Sequence, residues 1–254
     1  MLGEERREYI LNIINDTGSI NAKKIAAKLK VSEATIRRDL NKLSQKNLVK
    51  RTYGGAIRTL SVGREMSFNT QKEINIEEKK KIGMAAAQMI EEGDVIIIES
   101  GTTGYHTALN IRGNKNLTII TNGCEVASIL SKITPDYTII LSGGIFNNET
   151  HSLIGPIADN TFTNVNVDKA FIGITGLDID KGITAVNQIE AATKKNIIKS
   201  ANQVIALADH SKLGHISVNF VSDISSIDIL ITDHSANKSL IDQIKKSGIT
   251  VIQK

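Results

Sequence analysis

The chain has 254 residues, 41% of them hydrophobic and 23% charged, which suits one large domain or a small one joined to a medium one. No apolar run approaches the roughly 20 residues that span a bilayer. The opening MLGEERREYI has no apolar stretch before a small-residue cleavage site, so a cytoplasmic location is expected over secretion, and the single cysteine, Cys124, excludes an internal disulfide.

The net charge of +4 conceals an asymmetry: residues 1–58 carry +7 and the remainder carries −3. A basic head on a mildly acidic body points to a polyanionic partner for the head alone. In that head Ile10, Leu11 and Ile14 share a helical face, which should end near DTGS. Ile25 and Leu29 define a short second helix, Lys30 and Val31 a tight turn, and Ser32 caps a third helix whose Ile36, Leu40 and Leu43 recur at core spacing. Two helices joined by so short a turn form a helix-turn-helix, whose second helix enters the DNA major groove.

Turning that third helix at 100° per residue sends Ala34, Arg38, Asn41 and Lys42 away from the core. Arg37 lies to one side, where an ion pair with Glu33 competes with a DNA role. The following KNLVKRTYGGAIR reads as two short strands around Gly54-Gly55, a wing laid along the sugar-phosphate backbone. The expected DNA-contacting set is Ser32, Thr35, Arg37, Arg38, Asn41 and Lys42 from the helix, with Lys50, Arg51 and Tyr53 from the wing.

SEATIRRDLNKL followed by LVKRTYGGA resembles the N-terminal signature of the DeoR-type bacterial transcription regulators. Later segments SGTT, TNG, SGG, FIG and ADHSKLG look like that family's effector domain in the same order, so the resemblance covers essentially the whole chain. It implies a winged helix-turn-helix over 1–58, a linker over 59–76, and an α/β effector domain over 77–254 with a fold like that of ribose-phosphate isomerase. It also implies a repressor of carbohydrate genes, acting on operator DNA as a homodimer or larger homo-oligomer. Its effector is a phosphorylated sugar, with no other cofactor.

The body supports a mostly parallel α/β sheet on its own pattern. EEKKKIGMAAAQMIEEGD is helical, with Lys79, Lys80 and Lys81 read as a wet surface, a supplementary DNA contact being the alternative. The runs VIIIES, LTIITN, YTIILSGG, KAFIGITG, QVIALAD, DILITD and TVIQ are strands, apolar throughout and separated by helical stretches. In such sheets ligands gather at the carboxyl ends of the strands. Those ends supply Glu99, Ser100, Gly101, Asn122, Gly123, Gly143, Gly144, Asp209 and Lys212. In ESGTTGYH a glycine admits an oxyanion, Ser100, Thr102 and Thr103 add hydroxyls, and the next helix offers free N–H groups. A simple strand-to-helix cap would read the same way.

Lys181 and Glu190 are placed for the sugar portion, since the isomerase resembles this chain at Lys181-Gly182 followed by Glu190. Its acidic segment falls on Ile172 and Thr175, neither of which can shuttle a proton, with Asp178 and Asp180 nearby. Thr175 is therefore kept as a binding residue and no catalytic residue is assigned. The rivals are a sugar-phosphate isomerase-like enzyme with an appended DNA-binding domain, and an architectural DNA-bending protein.

Overall fold

A computed structural model of the chain describes residues 2–17, 19–46, 48–58, 66–113, 116–133 and 137–254. It divides into two compact units, Met1–Ser61 and Val62–Lys254.

In the first unit, helices α1 (Gly3–Thr17), α2 (Ala22–Leu29) and α3 (Glu33–Gln45) surround a core of Ile10, Ile14, Ile25, Ile36, Leu40 and Leu43. The turn between α2 and α3 is set by Lys30, whose left-handed backbone (φ 53°) ends α2. Three short strands, β1 (Ser19–Asn21), β2 (Val49–Thr52) and β3 (Gly55–Arg58), form an antiparallel sheet in the order β1-β3-β2. The expected wing is β2 and β3, turning at Tyr53-Gly54 with Thr52 opposite Gly55. β1 was not expected, because three residues carry no readable periodicity. It explains Gly55: a Cβ there would stand 1.9 Å from the Ile20 carbonyl oxygen, so only glycine lets β1 and β3 pair.

The second unit begins before the expected boundary. Residues 59–65 of the expected linker lie outside the described residues, but α4 (Phe68–Glu73) is built from its remainder. Ser67 caps α4, Phe68 is buried, and the Phe68 N–H donates to the Glu149 carbonyl oxygen at 2.6 Å. One buried aromatic residue fixes a segment too short for periodicity to reveal. α5 (Ile76–Ala87) follows.

The remaining elements, in chain order, are β4 (Val95–Ile98), α6 (Thr102–Asn110), β5 (Thr118–Thr121), α7 (Cys124–Leu130), β6 (Thr138–Leu141), β7 (Ile145–Asn147), β8 (Ser152–Ile154), α8 (Pro156–Thr163), β9 (Val167–Gly173), β10 (Gly176–Asp178), β11 (Gly182–Ala185), α9 (Gln188–Ser200), β12 (Ala201–Leu207), β13 (Asn219–Ser222), β14 (Ile229–Thr232), α10 (Lys238–Lys246) and β15 (Thr250–Gln253). All seven expected strands join one parallel sheet ordered β15-β14-β12-β9-β4-β5-β6.

Neighbouring residues on each strand bury opposite ways. Ile97, Ile120, Ala170, Ile172, Val204 and Ala206 pack with α8, α9 and α10 residues, while Ile96, Ile98, Ile119, Phe171 and Ile205 pack with α5, α6 and α7. The β7–β8 hairpin and the antiparallel β10-β11-β13 sheet were not expected, and their strands are three or four residues long. The chain runs from β4 outward to β6 and then returns to β9 on the opposite side of β4. The sheet therefore changes direction between β4 and β9, and a crevice opens at their carboxyl ends.

Candidate functional sites

On the first unit, Ser32 caps α3 through its Oγ, which accepts from the Thr35 N–H at 3.1 Å, and the two hydroxyls are 2.8 Å apart. Arg37 is held by Glu33 at 2.7 Å. Arg51 leaves the wing to donate to the Arg37 carbonyl oxygen and to Asn41 Oδ1, each at 3.0 Å. That clamps β2 to α3, so Arg51 also positions the wing. Arg38, Lys42 and Lys50 are exposed and hold no ion pair among the described residues, and Tyr53 is fully exposed at the wing tip. Asp39 faces inward, 4% exposed, and receives Arg6 Nε at 2.6 Å and Arg7 Nη1 at 3.4 Å, tying α3 to α1.

In the second unit a pocket opens at the β4/β9 crevice. It is lined by Glu99, Ser100, Gly101, Thr102, Thr103, Asn122, Thr175, Glu190, Asp209 and Lys212 from the expected set. Gln71, Lys79, Thr150, Gly173 and Lys194 join them without having been expected. The cavity is about 80 Å³, several times the roughly 10–15 Å³ that one water needs, which suits a small metabolite.

The loop after β4 is built for close approach. Gly101 caps α6 at φ 114°, a conformation that side chains avoid. A Cβ on Gly104 would stand 2.4 Å from the Glu99 carbonyl oxygen, so the helix start presses against the strand end. The Ser100 N–H donates to Asn122 Oδ1 at 2.9 Å, and Thr121 Oγ1 donates to the Ile98 carbonyl oxygen at 2.6 Å, lacing β4 to β5.

Lys79 overturns its expected place on a wet helix face. Lys80 and Lys81 are exposed, but Lys79 is 3% exposed and donates to the Gln71 carbonyl oxygen. Burial, with Lys212 nearby, lowers its pKa to about 8. Asp209 accepts from Asn75 Nδ2 at 2.9 Å and from the Ser211 N–H at 3.0 Å. Burial pushes its carboxyl up, but Lys212, Lys79 and the hydrogen bonds from the Ser211 hydroxyl and the Asn75 amide outweigh that and hold it below its usual range.

Glu99 is buried and pairs with Lys194, which also donates to the Gly173 carbonyl oxygen at 2.6 Å. Burial raises the Glu99 carboxyl against the pull of Lys194. Lys194 and Lys79 are both lysines on helices whose neighbours look amphipathic, and only the fold turns them inward.

Four expected residues do not line the pocket. Lys181 is exposed on the β10–β11 turn. Gly143 and Gly144 take positive φ and pack toward α8, where a Cβ on Gly144 would meet the Ile154 carbonyl oxygen at 2.7 Å. Gly123 serves close packing, since a Cβ there would lie 2.9 Å from Ser100 Cα. Ile172 is fully buried in the core, and Asp178 accepts from the Asp180 and Lys181 N–H groups. Cys124 opens α7 half-buried, and burial pushes its thiol up.

Residues 6–62 match the DeoR-like helix-turn-helix domain and residues 74–234 the DeoR C terminal sensor domain. The HTH-type transcriptional repressor GlcR of Bacillus subtilis (strain 168) is 36% identical, covering 99% of this chain and 96% of that protein. The glycerol-3-phosphate regulon repressor of Escherichia coli (strain K12) is 32% identical over 90% of each. Ribose 5-phosphate isomerase A from Methanocaldococcus jannaschii aligns in structure over 55% of each chain, at 17% identity and a TM-score of 0.39. The family matches cover both units, and these curated relatives are named as repressors, not enzymes: the chain belongs to the DeoR family of DNA-binding transcriptional regulators.

Proposed function

We propose that the chain is a cytoplasmic repressor of carbohydrate-metabolism genes, bound to operator DNA as a homodimer or larger homo-oligomer. Its second unit holds a phosphorylated sugar. The observation that carries the reading is the anion seat at the β4/β9 crevice. Gly101 and the first turn of α6, with Ser100, Thr102 and Thr103, stand in one pocket with Lys79 and Lys212. A buried ammonium beside helix N–H groups is a charge-assisted donor set for a phosphoryl oxygen. The E. coli relative is named for a phosphorylated polyol regulon, which agrees with this ligand class.

The phosphate needs no chemistry here. Ile172 and Thr175, where the acidic segment of the isomerase resemblance falls, carry no carboxylate to shuttle a proton. To regulate, the ligand must bind more tightly to one arrangement of the protein than to another.

Pentose and hexose phosphates supplied to the purified protein should raise its melting temperature without being consumed. Thr103→Glu, which sets a negative charge at the start of α6, should abolish the rise. Steady turnover above background would reverse the reading, and so would a rise that survives the substitution.

A further inference from the structure

Two glutamates lining the pocket share one pattern among the described residues: each has one oxygen engaged and the other without a hydrogen-bond partner. Three donors stand around Glu190 Oε1, namely Thr150 Oγ1 at 2.6 Å, Asn147 Nδ2 at 3.1 Å and Ser152 Oγ at 3.1 Å. Glu99 Oε2 accepts from the Gly173 N–H at 3.0 Å and from Lys194. Glu190 Oε2 and Glu99 Oε1 have no hydrogen-bond partner among the described residues. A carboxylate oxygen lining a cavity keeps lone pairs that a ligand must satisfy or leave to water.

The charges divide the pocket. On one side, Lys79 and Lys212 face the single carboxylate of Asp209. On the other, the ammonium of Lys194 is engaged by Glu99, and the hydrogen bonds that Glu190 accepts among the described residues come from neutral donors. One side is therefore net positive and the other net negative. An acceptor or an anion placed on the second side meets repulsion, whereas a hydroxyl donates into it.

Resting on the phosphate seat proposed above, we infer that Glu99 and Glu190 select a phosphorylated polyol over a phosphorylated acid of the same length. The free oxygens of the two glutamates each accept one ligand hydroxyl. Thr150 and Asn147 act as positioning residues, since they fix which Glu190 oxygen is left for the ligand.

The test compares matched probes on the full chain by calorimetry and thermal shift: glycerol 3-phosphate against 3-phosphoglycerate, sorbitol 6-phosphate against 6-phosphogluconate, and inorganic phosphate alone. In at least one pair the polyol should bind more tightly, by about ten-fold to a hundred-fold, the range for a hydrogen bond to a charged group. Acids that bind as well as their polyol partners would overturn this inference while leaving the phosphate seat intact. If no phosphorylated probe binds, the seat itself falls and the inference with it.

Glu190→Gln sharpens the result. Its amide oxygen, held by Thr150 and Asn147, turns an N–H toward the cavity, so the preference for polyol should shrink or reverse. A purely structural Glu190 would instead weaken both members of a pair alike, and an unchanged preference in the folded variant would overturn the inference.

Discussion

The two units place their cations in opposite ways. On the first, Arg38, Lys42 and Lys50 lie exposed beside the capped start of α3 and the wing. On the second, Lys79 and Lys194 are 3% and 6% exposed. Exposed cations cost little to place and are screened by salt, which suits a partner that brings a dense field of phosphates. Buried cations need compensation from the protein, and their geometry is set before a small ligand arrives. Among the described residues of the first unit the buried charge is Asp39, and it holds α1 to α3.

The strongest way to break this contrast is at Lys194. Lys194→Met removes the cation from a buried pair and strands Glu99, so urea unfolding at pH 7 should show a loss of about 3–5 kcal/mol. The double variant Glu99→Gln/Lys194→Met should recover much of it, because no charge is then left unpaired. Lys81→Met, on the exposed face of α5, should be near neutral. Equal effects at positions 194 and 81 would mean that the Glu99–Lys194 pair contributes nothing to stability.

Much of this fold was legible in the sequence because it depends on long regularities. Seven apolar runs alternating with helices dictate a covered parallel sheet, and Ser32 with Ile36, Leu40 and Leu43 dictates a capped helix with one buried face. What stayed hidden is what depends on single contacts. Phe68 turns a presumed linker into a docked helix, and β1 pairs only because Gly55 has no side chain.

The pocket divides in the same way. Residues at strand ends were found, since topology sends them to one crevice. Lys79, Gln71, Thr150 and Lys194 were missed, since their elements reach the crevice only through tertiary packing. Lys79 sits in a run of three lysines whose other members are exposed, and nothing local distinguishes it. Gly143, Gly144 and Lys181 were over-read: small or charged residues after a strand serve turns as readily as ligands.

Arg38 sharpens the contrast from the DNA side. Exposed on the outward face of α3, it should contact base edges, so Arg38→Ala should cost operator affinity about 1–3 kcal/mol and relax discrimination at one position. Competition binding with single-base operator variants measures this. A uniform loss across all variants would demote Arg38 to a phosphate contact.

Lys79 gives a smaller, pH-dependent effect. With its pKa lowered from 10.5 to about 8, it is mostly charged at pH 7 and mostly neutral at pH 9. A phosphate prefers the ammonium, so ligand affinity should fall about ten-fold between those values. Lys79→Met should bind more weakly at pH 7 and lose the fall. The unliganded protein should behave oppositely. Between about 8 and 10.5 the unfolded chain holds the Lys79 proton and the folded one does not, so stability from this group rises with pH.

Lys50 carries the smallest expected effect and separates two neighbours on one strand. It lies exposed opposite Ile57, whereas Arg51 beside it is committed to Arg37 and Asn41. Lys50→Ala should weaken all DNA sequences alike and lower the slope of log affinity against log salt by about 1. Arg51→Ala removes a cation too, since its acceptors are neutral, but it also frees Asn41 and unclamps the wing, so its loss should depend on sequence as well as on salt. A sequence-dependent loss at Lys50 with a sequence-independent one at Arg51 would exchange their roles, and the wing would then be held to α3 by something other than the Arg51 guanidinium.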